Sequence, residues 1–481
     1  MPSVTSALLN AANSLGVFTQ ALDVVQNNVA NADTPDYANQ IATFEALPFN
    51  LSQGDTGGVT SGQVASSRDE YAEQTVQQQT TLLGQAQQDV SSLTAVQSQF
   101  DITGNSGITD VLNSLFSAFS AWGQTPDSTV AQQNVVEQAS SVASAFQQTA
   151  QGLQTVAQDT QQQLQSTVSN VNELASQLAG FNQQIMNGDR NDAGLDAQIH
   201  SALDQLSNDG SINATQQSDG TWTVLLNGQT PLVMENQVFA LSTGSVAPSP
   251  TSANPNAPPH LSILASDGTD ITADTTSGQL GSLLNMANTV LPSYLGDANQ
   301  AGSLNILAKS FADNVNSLLT NGYQSVGPPP VSGVPLFTYD TTNATNVAQT
   351  LQVSSTITPA QLAAISPGPP EVSNGVALAL SQLADPTSAS DEINGLSYTQ
   401  YYAGMAANAG TLLDNANAQL QTQQAAVAQA ENVRQQISGV SLDQEATILL
   451  QFQQAYEANS KLVSVLDQLT EDAINMISTT T

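Results

Sequence analysis

The chain has 481 residues, 40% of them hydrophobic and only 9% charged. Forty acidic side chains against five basic ones leave a formal net charge of -35, which repels nucleic acid and anionic bilayers and removes both from the expected partners. There is no cysteine, so disulfides, thiolate metal sites and a cysteine nucleophile are excluded.

The length allows about three domains. No apolar run approaches the roughly 20 residues of a spanning helix. Residues 1–20 lack the basic start and apolar block of a secretory leader, so export without a cleaved signal peptide is the expectation.

In chain order, Val4, Leu8, Ala11, Leu15, Phe18, Leu22, Val25 and Val29 recur at spacings of four and three. That heptad seam predicts an amphipathic helix about 39 Å long, stopped before Pro35. Residues 68–100 and 130–206 are rich in Gln and Ala, with Leu153, Val156, Leu164, Val168, Val171, Leu174, Leu178 and Phe181 at helical spacing, and predict a long-helix layer. Turn-rich breaks at 104–107 and 125–127 interrupt it.

The middle changes period. Trp222–Leu226 followed by Asn227-Gly228 predicts a strand and hairpin turn, with 231–234, 238–241 and 260–265 as further strands. A Pro- and Ser-rich loop covers 246–259. Helices resume over 283–319 and 398–437, separated by a stretch broken at Pro328–Pro330 and Pro367–Pro370.

The C-terminal stretch carries Leu442, Leu449, Phe452, Tyr456, Val463 and Leu466 on one stripe, with Leu462, Leu469, Ala473 and Met476 beside it. Gly439 ends the preceding helix, and Ser441 with Gln444 has the form of a capping box.

The resulting fold class is mainly α with an inserted β-rich module, built from discontinuous domains. Residues 1–65 and 440–481 form a terminal coiled coil, and 66–210, 279–325 and 395–439 a long-helix bundle. Residues 211–278 form a β-rich outer module, and 326–394 an irregular connecting segment.

Chemistry is sparse. The two histidines, His200 and His260, fall in different modules, too few for a metal cluster or a triad. Asp267, Asp270 and Asp274 do not follow the calcium-loop spacing, and acid pairs such as Asp69-Glu70 read as solvated faces. No catalytic, cofactor or metal residue is expected, and the chain reads as a non-enzyme.

The segment NNVANADTPDYANQ, with Asn27, Asn28, Asn31, Thr34, Pro35, Tyr37 and Gln40 as its matching positions, resembles the N-terminal motif of flagellar rod, hook and hook-associated axial proteins. Asp36 stands where the family usually has glycine, and Asn39 where it has a basic residue. The run SGVSLDQEATILLQFQQAYEANSKLVSVLDQL, which includes Gly439, Leu442, Asp443 and Glu445, is similar to the C-terminal end of the hook-associated members. GQLGSLLNMANTVLP, FADNVNSLLTNGY and PLF fall in the family's order between them.

This resemblance implies an extracellular structural subunit at the hook-filament junction, with its terminal helices lining a tube. It also implies export through the flagellar type III apparatus and, as partners, further copies of itself, the hook protein, a filament-side hook-associated protein and an export chaperone.

Isolated amphipathic helices are marginal in water, so the termini are expected to order on assembly. Leu8, Leu15, Phe18, Leu22, Val25 and Val29, with Leu442, Leu449, Phe452, Tyr456, Val463 and Leu466, are the expected assembly residues. The two stripes are expected to pair with each other and with neighbouring subunits, and packing only within one subunit, as an ordinary antiparallel hairpin core, is the alternative for these residues. For function, the alternatives are a hook or distal rod subunit and, in a different class, a secreted adhesin or carbohydrate-binding module.

Overall fold

Two long helices at opposite ends of the sequence lie side by side, and everything between them is built outward from that pair. The computed structural model describes residues 2–50, 55–100, 107–327 and 329–478. Positions 104–106 and Pro328, expected as breaks, lie outside the described residues.

The N-terminal helix α1 (Pro2–Ala30) leads through a turn into a hairpin of β1 (Gln40–Ala46) and β4 (Val59–Ser66), whose tip carries the short pair β2 (Phe49–Asn50) and β3 (Asp55–Thr56). The bundle begins with α2 (Glu70–Gln97), capped by the Asp69 carboxylate, which accepts the Ala72 amide at 2.8 Å. Then come α3 (Ile108–Gln124) and α4 (Thr129–Asn187). At 59 residues, α4 is about 88 Å long. Helix α5 (Ala193–Asp209) starts where Asp192 accepts two backbone amides. Side-chain caps of this kind satisfy donors that the helix start leaves open.

A four-stranded antiparallel sheet follows, in the order β5 (Ile212–Gln216), β6 (Trp222–Leu226), β7 (Thr230–Met234), β8 (Gln237–Val238). Asn227 and Gly228 both take left-handed backbone (φ 52° and 69°), as the Asn-Gly pair predicts. A separate hairpin pairs β9 (Ser242–Val246) with β10 (His260–Leu264) across the Pro- and Ser-rich loop. β5 and β9 were not anticipated. Their Asn, Thr, Ser and Gly content hides the strand period.

Helices α6 (Gly278–Asn285), α7 (Leu291–Leu295) and α8 (Ser303–Thr320) return the chain to the bundle, with a π-helical turn at Met286–Val290. Gly278 takes φ 71°, and a Cβ there would lie 2.6 Å from the Cα of Gly210, so only glycine lets α6 start against the end of α5.

The next stretch holds two small strand pairs, β11 (Tyr323–Ser325) with β12 (Val331–Ser332) and β13 (Phe337–Thr338) with β14 (Gln352–Val353). It also holds the short helices α9 (Val347–Thr350) and α10 (Gly375–Gln382). Ser397 and Gln400 form a reciprocal capping box for α11 (Tyr398–Ser438), and α12 (Leu442–Ser478) closes the chain.

Two apolar cores result. The first gathers α3, the N-terminal half of α4, α8, the start of α11 and the 326–394 stretch around Phe311. That ring lies 6.1 Å from Phe116, 5.6 Å from Phe337 and 5.4 Å from Tyr398. Stretch 326–394 therefore does more than connect. Leu336, Phe337, Leu351, Leu362 and Leu380 are buried in this core, each contributing about 1.5–3 kcal/mol.

The second core joins the C-terminal half of α4, α5 and α6 to the sheet through Val224, Leu226, Leu232 and Val233. The β-rich module thus shares its core with helices. Trp222 of β6 meets His200 of α5 edge-on at 5.2 Å, which places the sheet at the end of the bundle nearest the termini.

Candidate assembly interface

Helices α1 and α12 run antiparallel. Phe18 faces Phe452 at 6.4 Å between ring centroids, and the start of α12 sits beside the turn that follows α1. The chain therefore supplies a partner for one side of each stripe, as the expected pairing of the two terminal helices with each other requires. Phe44 of β1 joins from a third side, 5.7 Å from Phe452.

Because α12 and the β-hairpin both pack on α1, its most buried line is Ala11, Val17, Ala21, Val25 and Asn28. Small side chains there let the elements approach closely. Of the sequence-predicted seam, Ala11 and Val25 are buried, Val4, Leu8, Leu15, Phe18 and Leu22 are half-buried, and Val29 is exposed. On α12, Leu449, Phe452, Val463 and Leu466 are half-buried, whereas Leu442 and Tyr456 point out.

α12 has a second apolar row on its outer side. Leu462, Val465 and Leu469, at spacings of three and four, are 48%, 55% and 52% exposed, with Leu450 and Ile474 also exposed. Scattered apolar residues are ordinary on a surface, but an aligned row marks a contact face. The hairpin tip adds Phe49, 70% exposed.

The residues between α1 and β1 form a hydrogen-bonded turn. Asn28, 1% exposed, donates through Nδ2 to the Gln40 carbonyl at 2.8 Å. Its Oδ1 accepts from the Gln40 amide at 2.9 Å and from the Tyr37 hydroxyl at 3.1 Å. Asn31 donates to Asn27 Oδ1 at 2.6 Å and accepts from Thr34 at 3.1 Å. Pro35 is exposed, and Asp36 adopts left-handed backbone (φ 58°), the conformation that a glycine would take there.

Burial, and then the Glu445 carboxylate, push the Tyr37 hydroxyl's pKa above its ordinary value. Glu445 is itself buried, and Asp443 lies exposed in the first turn of α12. Both acids sit where the helix dipole favours negative charge. Gly439 is extended (φ -76°), and a Cβ there would lie 2.4 Å from the Gln435 carbonyl oxygen. Close approach, and not left-handed backbone, is what requires glycine at this helix end.

Next to this turn lies a cluster of charge that sequence reasoning missed. Arg68 binds Glu73 at 2.6 Å and Asp196 at 2.8 Å, and donates to the Asp36 carbonyl at 2.6 Å. Arg434 binds Asp204 at 2.8 Å, Asp36 at 3.0 Å and Glu73 at 3.2 Å.

Burial opposes the charge on Arg434, but Asp204, Glu73 and Asp36 outweigh it and hold the guanidinium above its usual range. Burial pushes Asp204 up to about 7 despite the opposing pull of Arg434. His200 lies among them, 3.7 Å from both Glu73 and Asp196, too far for hydrogen bonds. Burial, then Arg68 and Arg434, depress its pKa well below 6.5 and keep the ring neutral. The one available signal was that two of only five basic residues, Arg68 and Arg434, flank predicted domain boundaries.

Among the described residues no helix is long and apolar enough to cross a membrane, and no group of His, Cys, Asp and Glu could hold a metal ion.

A family model of the flagellar hook-associated protein FlgK helical domain matches residues 93–337. A second, of the flagellar basal body rod FlgEFG protein C-terminal part, matches residues 434–476. The chain is 26% identical over 518 residues to Flagellar hook-associated protein 1 of Bacillus subtilis (strain 168), covering 99% of this chain and 99% of that one. Its fold is similar to that of the flagellar hook junction protein FlgK from Burkholderia pseudomallei, with a TM-score of 0.64 at 17% identity, over 76% of this chain and 100% of the other.

Proposed function

Because the chain belongs to the flagellar hook-associated protein FlgK family, and so is a structural component of the bacterial flagellum at the hook junction and not an enzyme, we propose that it polymerises through its terminal helices. The observation that carries this reading is the two-sided character of α12. One side is covered by α1, while Leu462, Val465 and Leu469 form a row that this chain leaves exposed.

The seam residues Phe18, Leu22, Val25, Leu449, Phe452 and Val463 hold the pair together. Val29, Leu442, Tyr456 and the outer row of α12 meet neighbouring subunits. Contacts of this head-to-tail kind are heterologous and build helical arrays when the rotation does not close. The family resemblance supplies the neighbours: further copies, the hook protein on one side and a filament-side hook-associated protein on the other. It also supplies export through the flagellar type III apparatus as an extracellular protein, with a chaperone on the C-terminal helix.

The test is the double variant Leu462→Gln/Val465→Gln, co-sedimented with purified hooks. Both side chains are exposed, so the variant is expected to keep wild-type helicity and melting temperature, within about 0.5 kcal/mol per site, while losing incorporation. Unchanged incorporation would refute the assembly role of this face.

A further inference from the structure

β5 lies at one edge of the four-stranded sheet. The Asn227 amide donates to the Ser211 carbonyl and the Gln217 amide to the Thr221 carbonyl, both at 2.7 Å, in register with the β5–β6 pairing. Bonds to β6 therefore belong to alternate residues, and Ile212, Ala214 and Gln216 turn their N–H and C=O groups to the open side. Such an edge is a template for a further strand.

A groove runs along that edge, between β5 and the first half of α2. It consists of two cavities, of about 370 and 330 Å³, that share Gln74, Gln77 and Ala214 as lining. Two polar side chains reach it almost fully buried and unpartnered. Gln77 is 8% exposed and makes no side-chain hydrogen bond among the described residues, and neither ring nitrogen of His200 has a partner. Elsewhere the molecule shows what a helix amide in this position does. Asn172, Asn182, Asn288 and Asn316 each hold both the N–H and the C=O of one extended residue, at 2.7–2.9 Å. Gln77 offers the same donor and acceptor to the groove.

The lining determines what fits. Around Ile212 it holds no charged side chain, so a charged strand would lose its water there without gaining a partner. At the Gln216 end, Arg68 holds Glu73 and Asp196, Asp192 caps α5 and Glu70 accepts from Gln74. Arg190 stays exposed there without a salt bridge among the described residues, open to a carboxylate. The chain itself contains a matching segment. Residues 40–66 carry two acids, Glu45 and Asp55, and no basic residue, and the β1–β4 pair joins no other strand. Gln40, Val64 and Ser66 of this hairpin line the mouth of the groove, so the groove continues the candidate assembly interface.

We propose that β5 receives, as a fifth strand, an extended segment from the 40–66 hairpin of a neighbouring copy, with Gln77 holding its backbone from the α2 side. The proposal rests on the assembly reading, and it gives a terminal segment a preformed edge to order against.

The test uses full chains assembled on purified hooks from an equal mixture of unlabelled and isotope-labelled protein, with the exposed Asn213→p-benzoylphenylalanine as photo-crosslinker. Cross-links should join the two isotopes and map to residues 40–66. Ala214→Pro removes only an outward N–H that the β6 ladder does not use, and Gln77→Ala keeps a strong helix former. Each should retain the wild-type melting temperature and lower those cross-links about tenfold. Incorporation with cross-links confined to one isotope, or to other segments, overturns the strand addition, as do unchanged cross-links in both variants. A chain that does not sediment with hooks at all overturns the assembly reading and this one with it.

Discussion

At the scale of single residues, Asn28 and His200 show opposite uses of a buried polar side chain. Asn28 satisfies both backbone groups of Gln40 and the Tyr37 hydroxyl. Asn28→Ala should therefore strand three groups and destabilise the terminal module by about 1–3 kcal/mol, read as faster hydrogen exchange at residues 37–40. His200 is satisfied by nothing within hydrogen-bond range and stays neutral.

The direction of its titration can be worked out. A histidine whose folded pKa lies below 6.5 stabilises above that value, and the contribution is lost as the pH falls. A carboxylate raised by burial, Asp204 to about 7 and Asp209 to about 6, stabilises in acid and loses its contribution as the pH rises through those values. Two carboxylates oppose one histidine, so stability should rise when the pH is lowered from 7.5 to 5. The rise should be larger in His200→Phe, where the opposing group is gone. Equal slopes in chemical denaturation of the two proteins would contradict this account.

At the scale of elements, the sequence was most legible where one period ran unbroken. Both terminal helices, the long Gln-rich helix and the Asn-Gly hairpin follow from spacing alone. Helix α3 did not emerge, although Val111, Leu112, Leu115, Phe116, Phe119 and Trp122 have helical spacing. Breaks close on either side left this short segment without an assignment of its own inside the long-helix layer.

The seam of α1 was found, but the line of deepest burial also takes in Val17, Ala21 and Asn28, because heptad reasoning assumes one partner and this helix has two. Ala21 sits where both approach, so Ala21→Leu should overpack the joint at a cost of about 1–3 kcal/mol, seen as earlier melting of the terminal pair. The charge cluster was illegible for a different reason. Its members come from four separate stretches of chain, and no local spacing brings Asp36, Arg68 with Glu73, Asp196 and Arg434 together.

At the scale of the molecule, α4 belongs to both cores, with Val135–Val156 buried in the first and Leu164–Ile185 in the second. Gln161 is exposed between them. Gln161→Pro removes one backbone bond and clashes with the preceding turn, costing about 3 kcal/mol or more. Calorimetry should then split one unfolding transition into two, and a single transition in the variant would show that other contacts join the cores. The same unbroken helix has a mechanical meaning. A rotating shaft passes torque through whatever is stiff, and a spar without a joint delivers strain from the far core to the sheet beside the termini with little absorbed on the way.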